Sequence, residues 1–239
     1  ICSIGMQAQT NNGASSLSFS GYLEAYYTYD FGQPENGNRP PFVYSHNRHN
    51  EFNLNLGFLK AAYSTENVRA NLALAAGTYM NANYAAEPGV LKNVYEANAG
   101  LKLSRKKNLW LDAGIFGSHI GFEGAVSKDC WTLTRSIMAD NTPYYEAGAK
   151  LTFTTDNGHW LFSILALNGW QRIQRPAGNS TLAGGWQIQF KPSGKVTLNS
   201  SSFFGNDKPD SVALNRVFHN FYGIFQLSGQ FGLTLGFDT

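Results

Sequence analysis

The sequence contains the residue types that carry out chemistry, but few of them stand in a catalytic or metal-binding pattern. Ser118 and His119 could supply the nucleophile and the base of a hydrolase, yet neighbours in a strand point to opposite faces and no GxSxG element surrounds any serine. His46 and His49 lie close together in a loop, but two ligands do not make a metal site. Loop aspartates such as Asp140 lack the spacing of a calcium-binding loop. We therefore predict no enzyme, no cofactor and no bound metal.

Charged residues placed between apolar neighbours form a second group with possible chemistry. They carry both signs, and charged side chains at a narrowing decide which ions pass a pore. Opposed acids and bases would set a field across such a pore, although a purely structural ion pair is the alternative for each of them. By parity along the strands, the predicted pore-lining residues are Glu24, Arg69, Glu96, Lys102, Asp112, Glu146 and Lys150, with Glu123 and Arg135 on a central loop.

The composition restricts the class of protein that could carry these residues. The 239 residues are 43% hydrophobic and 14% aromatic, but only 14% are charged, against about 25% in typical soluble domains. No run of about 20 apolar residues is present, which excludes a transmembrane helix. The formal net charge of +2 is too small to indicate a nucleic-acid partner.

Alternating apolar and polar residues predict about eleven strands. The strongest alternation runs from Leu17 to Asp30, and its apolar side ends in tyrosines, as a lipid-facing strand with an aromatic girdle requires. Long loops and short turns connect the strands in alternation, which is typical of a transmembrane barrel. The predicted fold is therefore all-β, an antiparallel transmembrane up-and-down β-barrel. The odd strand count and the final residues in or just after a strand predict that this barrel is incomplete, without its closing strands.

The longest stretch without strand periodicity runs from Ser118 to Tyr145, and we call it the central loop. Connections of this length are uncommon unless they are functional or disordered. The central loop could fold into the lumen with Arg135 facing acids of the wall, or it could form an extracellular flap. Weak alternation between Trp131 and Met138 makes an additional strand a third possibility.

The first residues resemble the end of a secretory signal, with a cleavage site near Ala8 or Gln9. We assign residues 1–9 to a residual signal peptide, 10–16 to a linker and 17–239 to the barrel. Cys2 is alternatively the modified cysteine of a lipoprotein. If Cys2 leaves with the signal, Cys130 has no partner for an internal disulfide.

Several motifs occur at intervals along the chain. They are GYLEAYY (Gly21 to Tyr27), HNRHNEFNLN (His46 to Asn55), LWLDAGIFGSHIGFE (Leu109 to Glu123), TRS (Thr134 to Ser136), PYY (Pro143 to Tyr145) and the triplet Asn168, Gly169 and Trp170. Together these motifs resemble the OmpL-like outer-membrane β-barrel porins found mainly in Bacteroidetes. The resemblance covers most of the range from Ser20 to Asp238, and this chain departs from the family pattern at Cys130, Trp131 and Glu146.

The resemblance implies a bacterial outer-membrane channel for passive diffusion of small hydrophilic solutes or ions, with outer-membrane lipid as the surrounding partner. Two alternatives stay open at this point. A nonconducting barrel would serve adhesion or a structural role through its long loops. A lipid hydrolase at the membrane surface would need a serine and histidine arrangement that the sequence does not display.

Overall fold

The computed structural model describes residues 2–12 and 15–239, with side chains from residue 15 onward. Strands dominate it, because apolar–polar alternation with a period of two buries one face of an extended chain. The strands are β1 (Cys2–Asn12), β2 (Ser15–Tyr27), β3 (Phe52–Ser64), β4 (Val68–Ala76), β5 (Val94–Lys102), β6 (Asn108–Gly117), β7 (Tyr145–Thr154), β8 (Trp160–Leu167), β9 (Ala183–Ser193), β10 (Val196–Asn206), β11 (Asn215–Gln226) and β12 (Gly232–Asp238).

These twelve described strands form one sheet in which the spatial order is the order in sequence, from β1 to β12. Neighbouring strands pair antiparallel, as in β2 with β3 and β10 with β11. The predicted all-β, up-and-down antiparallel sheet is thus confirmed, and its eleven predicted strands are β2 to β12. Within the described part, the order ends at β1 and β12 without joining them, as the prediction of an incomplete barrel requires.

The additional strand is β1, where residues 2–12 pair along their whole length with β2 from Cys2–Ala25 to Asn12–Ser15. A linker was predicted over residues 10–16, but the structure places 10–12 in β1 and 15–16 in β2. The reason is that β2 offers these residues a complete ladder of hydrogen bonds. The signal-peptide assignment of residues 1–9 stays a prediction. Residues 1, 13 and 14 and the Cys2 side chain lie outside the described part.

Long and short connections alternate as predicted. The long ones follow β2, β4, β6, β8 and β10, and the short ones after β3, β5, β7, β9 and β11 have two to five residues. Short helical segments occur in two long connections: α1 (Thr78–Asn83) and a 3-10 turn (Gly89–Asn93) after β4, and a 3-10 turn (Ser127–Asp129) and α2 (Ile137–Asp140) in the central loop. The central loop contains no strand before Tyr145, where β7 begins, so the possibility of an additional strand between Trp131 and Met138 is wrong. No helix in the described residues is long and apolar enough to cross a membrane.

The chain forms two compact units. The first comprises residues 1–98 and 123–144, and the second comprises 99–122 and 145–239. In the first unit, α1 packs on β3 and β4. Gly77 permits this packing because a Cβ there would lie 2.3 Å from the Asn55 carbonyl oxygen, and its φ of +132° is unfavourable for other residues.

A hydrophobic cluster forms the core of the second unit. Its buried members come from β6, the start of the central loop, β8, β9 and β10, and two partly buried aromatic rings pack on them. The cluster consists of Phe116, Ile120, Leu165, Leu167, Ala183 and Phe203, with Trp170 and Phe218 against it.

Exposure along the strands is the reverse of that in a water-soluble sheet. In β2, Tyr22, Glu24 and Tyr26 are buried while Leu23 and Tyr27 are exposed. In β4, Leu72 and Leu74 are more than half exposed while Ala73 and Ala75 are buried. Large apolar side chains therefore cover the exposed face of these strands, while the protected face has Glu24 and tyrosines in β2 and small alanines in β4.

This pattern leads to a prediction about strand faces. If β4 crosses a bilayer as the sequence predicts, Leu72→Arg places a charge in hydrocarbon and costs about 2–4 kcal/mol near the midplane. Asn71→Arg changes the opposite face and removes one hydrogen bond, from Asn71 Nδ2 to Asn98 Oδ1 at 3.1 Å, which is worth about 1 kcal/mol. The measurement is the folded fraction after refolding into lipid vesicles, and equal losses in the two variants would contradict the assignment of faces.

Candidate functional site

The first notable site is a buried glutamate–histidine pair in the first unit, and we call it the first anchor (Glu24–His46). Glu24 on β2 is 0% exposed. His46 Nε2 lies 2.6 Å from Glu24 Oε1, and the Tyr22 hydroxyl donates a hydrogen bond to Glu24 Oε2 at 2.9 Å. The His46 backbone N–H donates to Asn55 Oδ1 at 2.9 Å. Two contacts therefore hold the loop of residues 28–51 on the polar face of the sheet.

His46 itself is held in a conformation that few residues adopt. Its φ is +55°, which is uncommon for a residue other than glycine. The ring of Tyr26 meets the His46 ring edge-on, with the centroids 5.1 Å apart. The two polar contacts and this packing maintain the conformation, so His46 is positioned by the surrounding structure rather than by local preference.

The second anchor (Glu146–His119) is the corresponding pair in the second unit. Glu146 is 0% exposed on β7, and His119 Nδ1 lies 2.8 Å from its Oε2. His119 Nε2 lies 2.9 Å from the backbone carbonyl oxygen of Ser202 on β10. The histidine therefore joins the central loop to two strands that are far apart in sequence.

Hydrogen-bond chemistry specifies the proton count of the second anchor. A carbonyl oxygen can only accept, so His119 Nε2 carries a hydrogen. Nδ1 and Glu146 Oε2 can then bond only if one further proton lies between them, on the imidazole or on the carboxyl group. In either case the pair is neutral as a whole, which lowers the cost of burying a carboxyl group completely. Glu146 Oε1 has no hydrogen-bond partner in the described residues.

Gly185 on β9 makes the space for the second anchor. A Cβ at this position would lie 2.8 Å from His119 Nε2, closer than atoms in contact can approach. Position 185 therefore needs glycine, because the His119 ring occupies the place of a side chain.

Arg135 organises the central loop from within. Its guanidinium group donates from Nε to the Gly124 carbonyl oxygen at 2.6 Å and from Nη2 to that of Ala125 at 2.9 Å. It also donates to the Leu133 carbonyl oxygen and to Ser127 Oγ, both at 3.2 Å. Among the described residues, no carboxylate lies within ion-pair distance of Arg135. The guanidinium group thus satisfies carbonyl groups that loop backbone would otherwise leave unpaired.

Two further contacts complete the fold of the central loop. Glu123 accepts hydrogen bonds from the backbone N–H of Ser136, at 2.9 Å, and from the Ser136 hydroxyl. Ser136 also caps α2 by accepting from the Ala139 N–H at 3.2 Å. Ser127 lies next to the Glu24 carboxylate. The part of the central loop that belongs to the first unit therefore reaches the same face of β2 as the first anchor.

The other predicted pore-lining residues lie along the polar faces of their strands. Glu96 on β5 receives a hydrogen bond from Lys60 Nζ at 2.5 Å and one from Asn98 Nδ2 at 3.1 Å. Arg69 on β4 is half-buried, as is Lys102 on β5.

On β6 and β7 the predicted residues form a cross-strand arrangement. Asp112 is buried directly opposite Lys150, whose Nζ lies 4.5 Å above the Phe116 ring.

Sequence reasoning missed the role of three residues. His46 and His119 were considered only as catalytic bases or metal ligands, and Lys60 was not singled out. Within the described residues, no group of three or more potential ligands could hold a metal ion. The Ser118 hydroxyl, a possible nucleophile, accepts a hydrogen bond from the Ile120 N–H at 3.0 Å. One signal in the sequence could have indicated the two pairs. His46 and His119 each lie in a long loop, and the strand next to that loop carries an acid, Glu24 or Glu146, between apolar neighbours.

The first anchor leads to a stability prediction. Glu24→Ala should destabilise the protein by about 3–5 kcal/mol, because it removes one partner of a buried pair. Glu51→Ala is the control in the same loop, since Glu51 forms a partly exposed pair with Arg48 at 2.7 Å, with the two side chains 40% and 29% exposed, and pairs open to solvent contribute about 0–1 kcal/mol. Urea unfolding of the refolded protein measures both. Similar losses for the two variants would show that Glu24 and His46 do not anchor the loop.

The central loop leads to a prediction about the reactivity of Cys130. Burial raises the pKa of this thiol, so a smaller fraction is the reactive thiolate near neutral pH. In a Cys2→Ser background, Arg135→Ala should speed maleimide labelling of Cys130 several-fold, because the loop loses four hydrogen bonds from one side chain. We expect this loosening to outweigh the opposing loss of a positive charge that lowers the pKa of the thiol. Arg105→Ala, in the exposed turn after β5, is the control. Unchanged labelling of the Arg135→Ala protein would contradict the organising role of Arg135.

Comparison with known proteins gives the family. The family model described as "Putative beta-barrel porin-2, OmpL-like" matches residues 16–239. No curated protein and no solved structure matches the chain. The match includes every strand from β3 to β12 and nearly all of β2, together with both anchors and the central loop. The chain therefore belongs to the OmpL-like family of β-barrel porins.

Proposed function

We propose that this chain is an outer-membrane channel through which small hydrophilic solutes or ions diffuse passively. The observation that supports this proposal is the reversed exposure of the strands. Leu23, Leu72 and Ile164 are exposed, whereas Glu24, Asp112 and Glu146 are buried. Lipid would surround the first group, and the second group lies on the face that turns away from lipid, as in transmembrane barrels.

The two faces of the strands define the proposed partners. Outer-membrane lipid contacts the exposed apolar side chains, and hydrophilic solutes contact the polar face. The nine predicted pore-lining residues, seven on strands and two on the central loop, comprise five acidic and four basic residues, so their contribution is a local field rather than a large net charge. They are Glu24, Arg69, Glu96, Lys102, Asp112, Glu123, Arg135, Glu146 and Lys150. No catalytic step is part of the proposal.

The connections between strands suggest how the barrel is oriented in the membrane and which loops narrow the pore. Short turns face the periplasm and long loops the outside in barrels of this kind. The loop of residues 28–51 and the central loop both approach the Glu24 face of β2, through His46 and Ser127. We assign the constriction to these two loops, with Arg135 as the residue that maintains the fold of the central loop.

A nonconducting barrel is the second candidate, and the anchors themselves favour it. Glu24 and Glu146 are 0% exposed, so the loops leave no water-filled space at these two carboxyl groups. A barrel in which the loops closed the whole lumen would serve adhesion or membrane structure instead. Conductance distinguishes the two candidates directly.

The test is single-channel conductance of the refolded protein in a planar bilayer. We expect steady ohmic steps, and Arg135→Ala should change their size or ion preference because the central loop loses the hydrogen bonds of the guanidinium group. Arg105→Ala should leave both unchanged. Silence from a protein whose folding and insertion are verified would reject the channel in favour of the nonconducting barrel. Ohmic steps that are identical in all three proteins would remove the central loop from the constriction.

A further inference from the structure

A small cavity lies among the long loops of the second unit, separate from both anchors. Its volume is about 280 Å³, and residues of the loop after β8, the end of β10, the loop after it and the start of β11 line it. This volume is slightly below the usual range for sites of drug-sized ligands, about 300–1,000 Å³. The lining includes three cationic side chains, Arg172, Lys208 and Arg216, and one carboxylate, Asp207.

One of the three cations is already neutralised. Arg216 contacts Asp207 Oδ2 through Nε and Nη2, each at 2.6 Å. Its guanidinium carbon lies 4.6 Å from the centre of the Trp170 ring. The Trp170 ring in turn meets Phe203 and Phe218 edge-on, with centroids 5.0 and 4.9 Å apart. Arg216 and Trp170 thus form a rigid wall joined to the hydrophobic cluster.

The other two cations have no such partner. Within the described residues, the Arg172 guanidinium group and the Lys208 ammonium group make no hydrogen bond or ion pair. Gly169, at φ +148°, lies against the aliphatic part of Arg172, because a Cβ there would be 3.4 Å from Arg172 Cγ. The cavity therefore has two uncompensated positive charges in its lining, which is an arrangement that attracts an anion.

The loops that carry these cations are held together. Asn179 Nδ2 donates to the carbonyl oxygens of Asn206 and Lys208 at 2.7 and 2.9 Å. Asp210 accepts from the Ser180 N–H and hydroxyl, and the hydroxyl donation lowers the pKa of this carboxyl group. The loop after β8 and the loop after β10 are therefore joined before any ligand arrives. A preformed site of this kind avoids part of the ordering cost of binding.

The geometry points to a binding site for a small soluble anion that carries a phosphate or carboxylate group, held between Arg172 and Lys208. A guanidinium group can bind either oxyanion with two parallel hydrogen bonds, and an ammonium group adds a compact charge. Binding itself does not depend on conduction. A role in collecting anionic solutes at the mouth of the channel rests on the proposed function.

The test uses isothermal titration of the refolded full chain in neutral detergent, with inorganic phosphate and citrate as probes at about 0.15 M salt. We expect saturable binding of at least one probe, weakened about tenfold or more by Arg172→Ala and by Lys208→Ala, since each substitution removes charge-assisted hydrogen bonds. Arg172→Lys should weaken binding less than Arg172→Ala, because the charge remains. Folding of each variant is checked by circular dichroism and electrophoretic mobility.

The matched control is Arg175→Ala. Arg175 lies in the same loop and has the same charge, but it does not line the cavity and its Nη1 donates to the Ser180 carbonyl oxygen at 2.8 Å. Equal weakening by this control would mean general charge attraction and would overturn the site, as would the absence of binding by the folded wild type. Conductance is recorded from the same preparations. Binding without conductance rejects the channel and supports the anion site. Conductance without binding supports the channel and rejects the anion site.

Discussion

The structure depends on the burial of carboxyl groups on the polar face of a sheet whose other face is apolar. A carboxylate taken out of water needs a partner of opposite charge or a proton. In each compact unit the partner is a histidine from a long loop, His46 for Glu24 and His119 for Glu146. The loops therefore do more than connect strands. They complete the polar face, and the strands supply the groups that hold the loops in place.

The strands and their faces were predictable because their signal is local. A period of two in polarity can be read within one strand, and the strand order follows from connections between neighbours in sequence. β1 shows where this reasoning stops. Residues 2–12 were assigned to a leader and a linker, and their pairing with β2 became visible only in three dimensions.

The site was predictable only in part, because its contacts join residues that are far apart in the sequence. The predicted acids of the strands, Glu24, Glu96, Asp112 and Glu146, are buried or half-buried on the polar faces, because parity alone places them there. Their partners could not be predicted, since His46 is 22 residues from Glu24 and His119 is 27 residues from Glu146. Arg135 was expected to face acids of the wall if the central loop folded into the lumen, but its guanidinium group contacts the loop's own carbonyl groups. Irregular backbone contains unpaired acceptors that a sequence pattern does not reveal.

The position of His119 has a consequence for the order of assembly. Its ring contacts Glu146 on β7, the Ser202 carbonyl oxygen on β10 and the space above Gly185 on β9. Hairpins between neighbouring strands can form early, because they close short segments of chain. The His119 site does not exist until β7, β9 and β10 are in register, so the start of the central loop can dock there only after these strands have paired. A histidine in a loop thereby becomes a marker for completed strand pairing in the second unit.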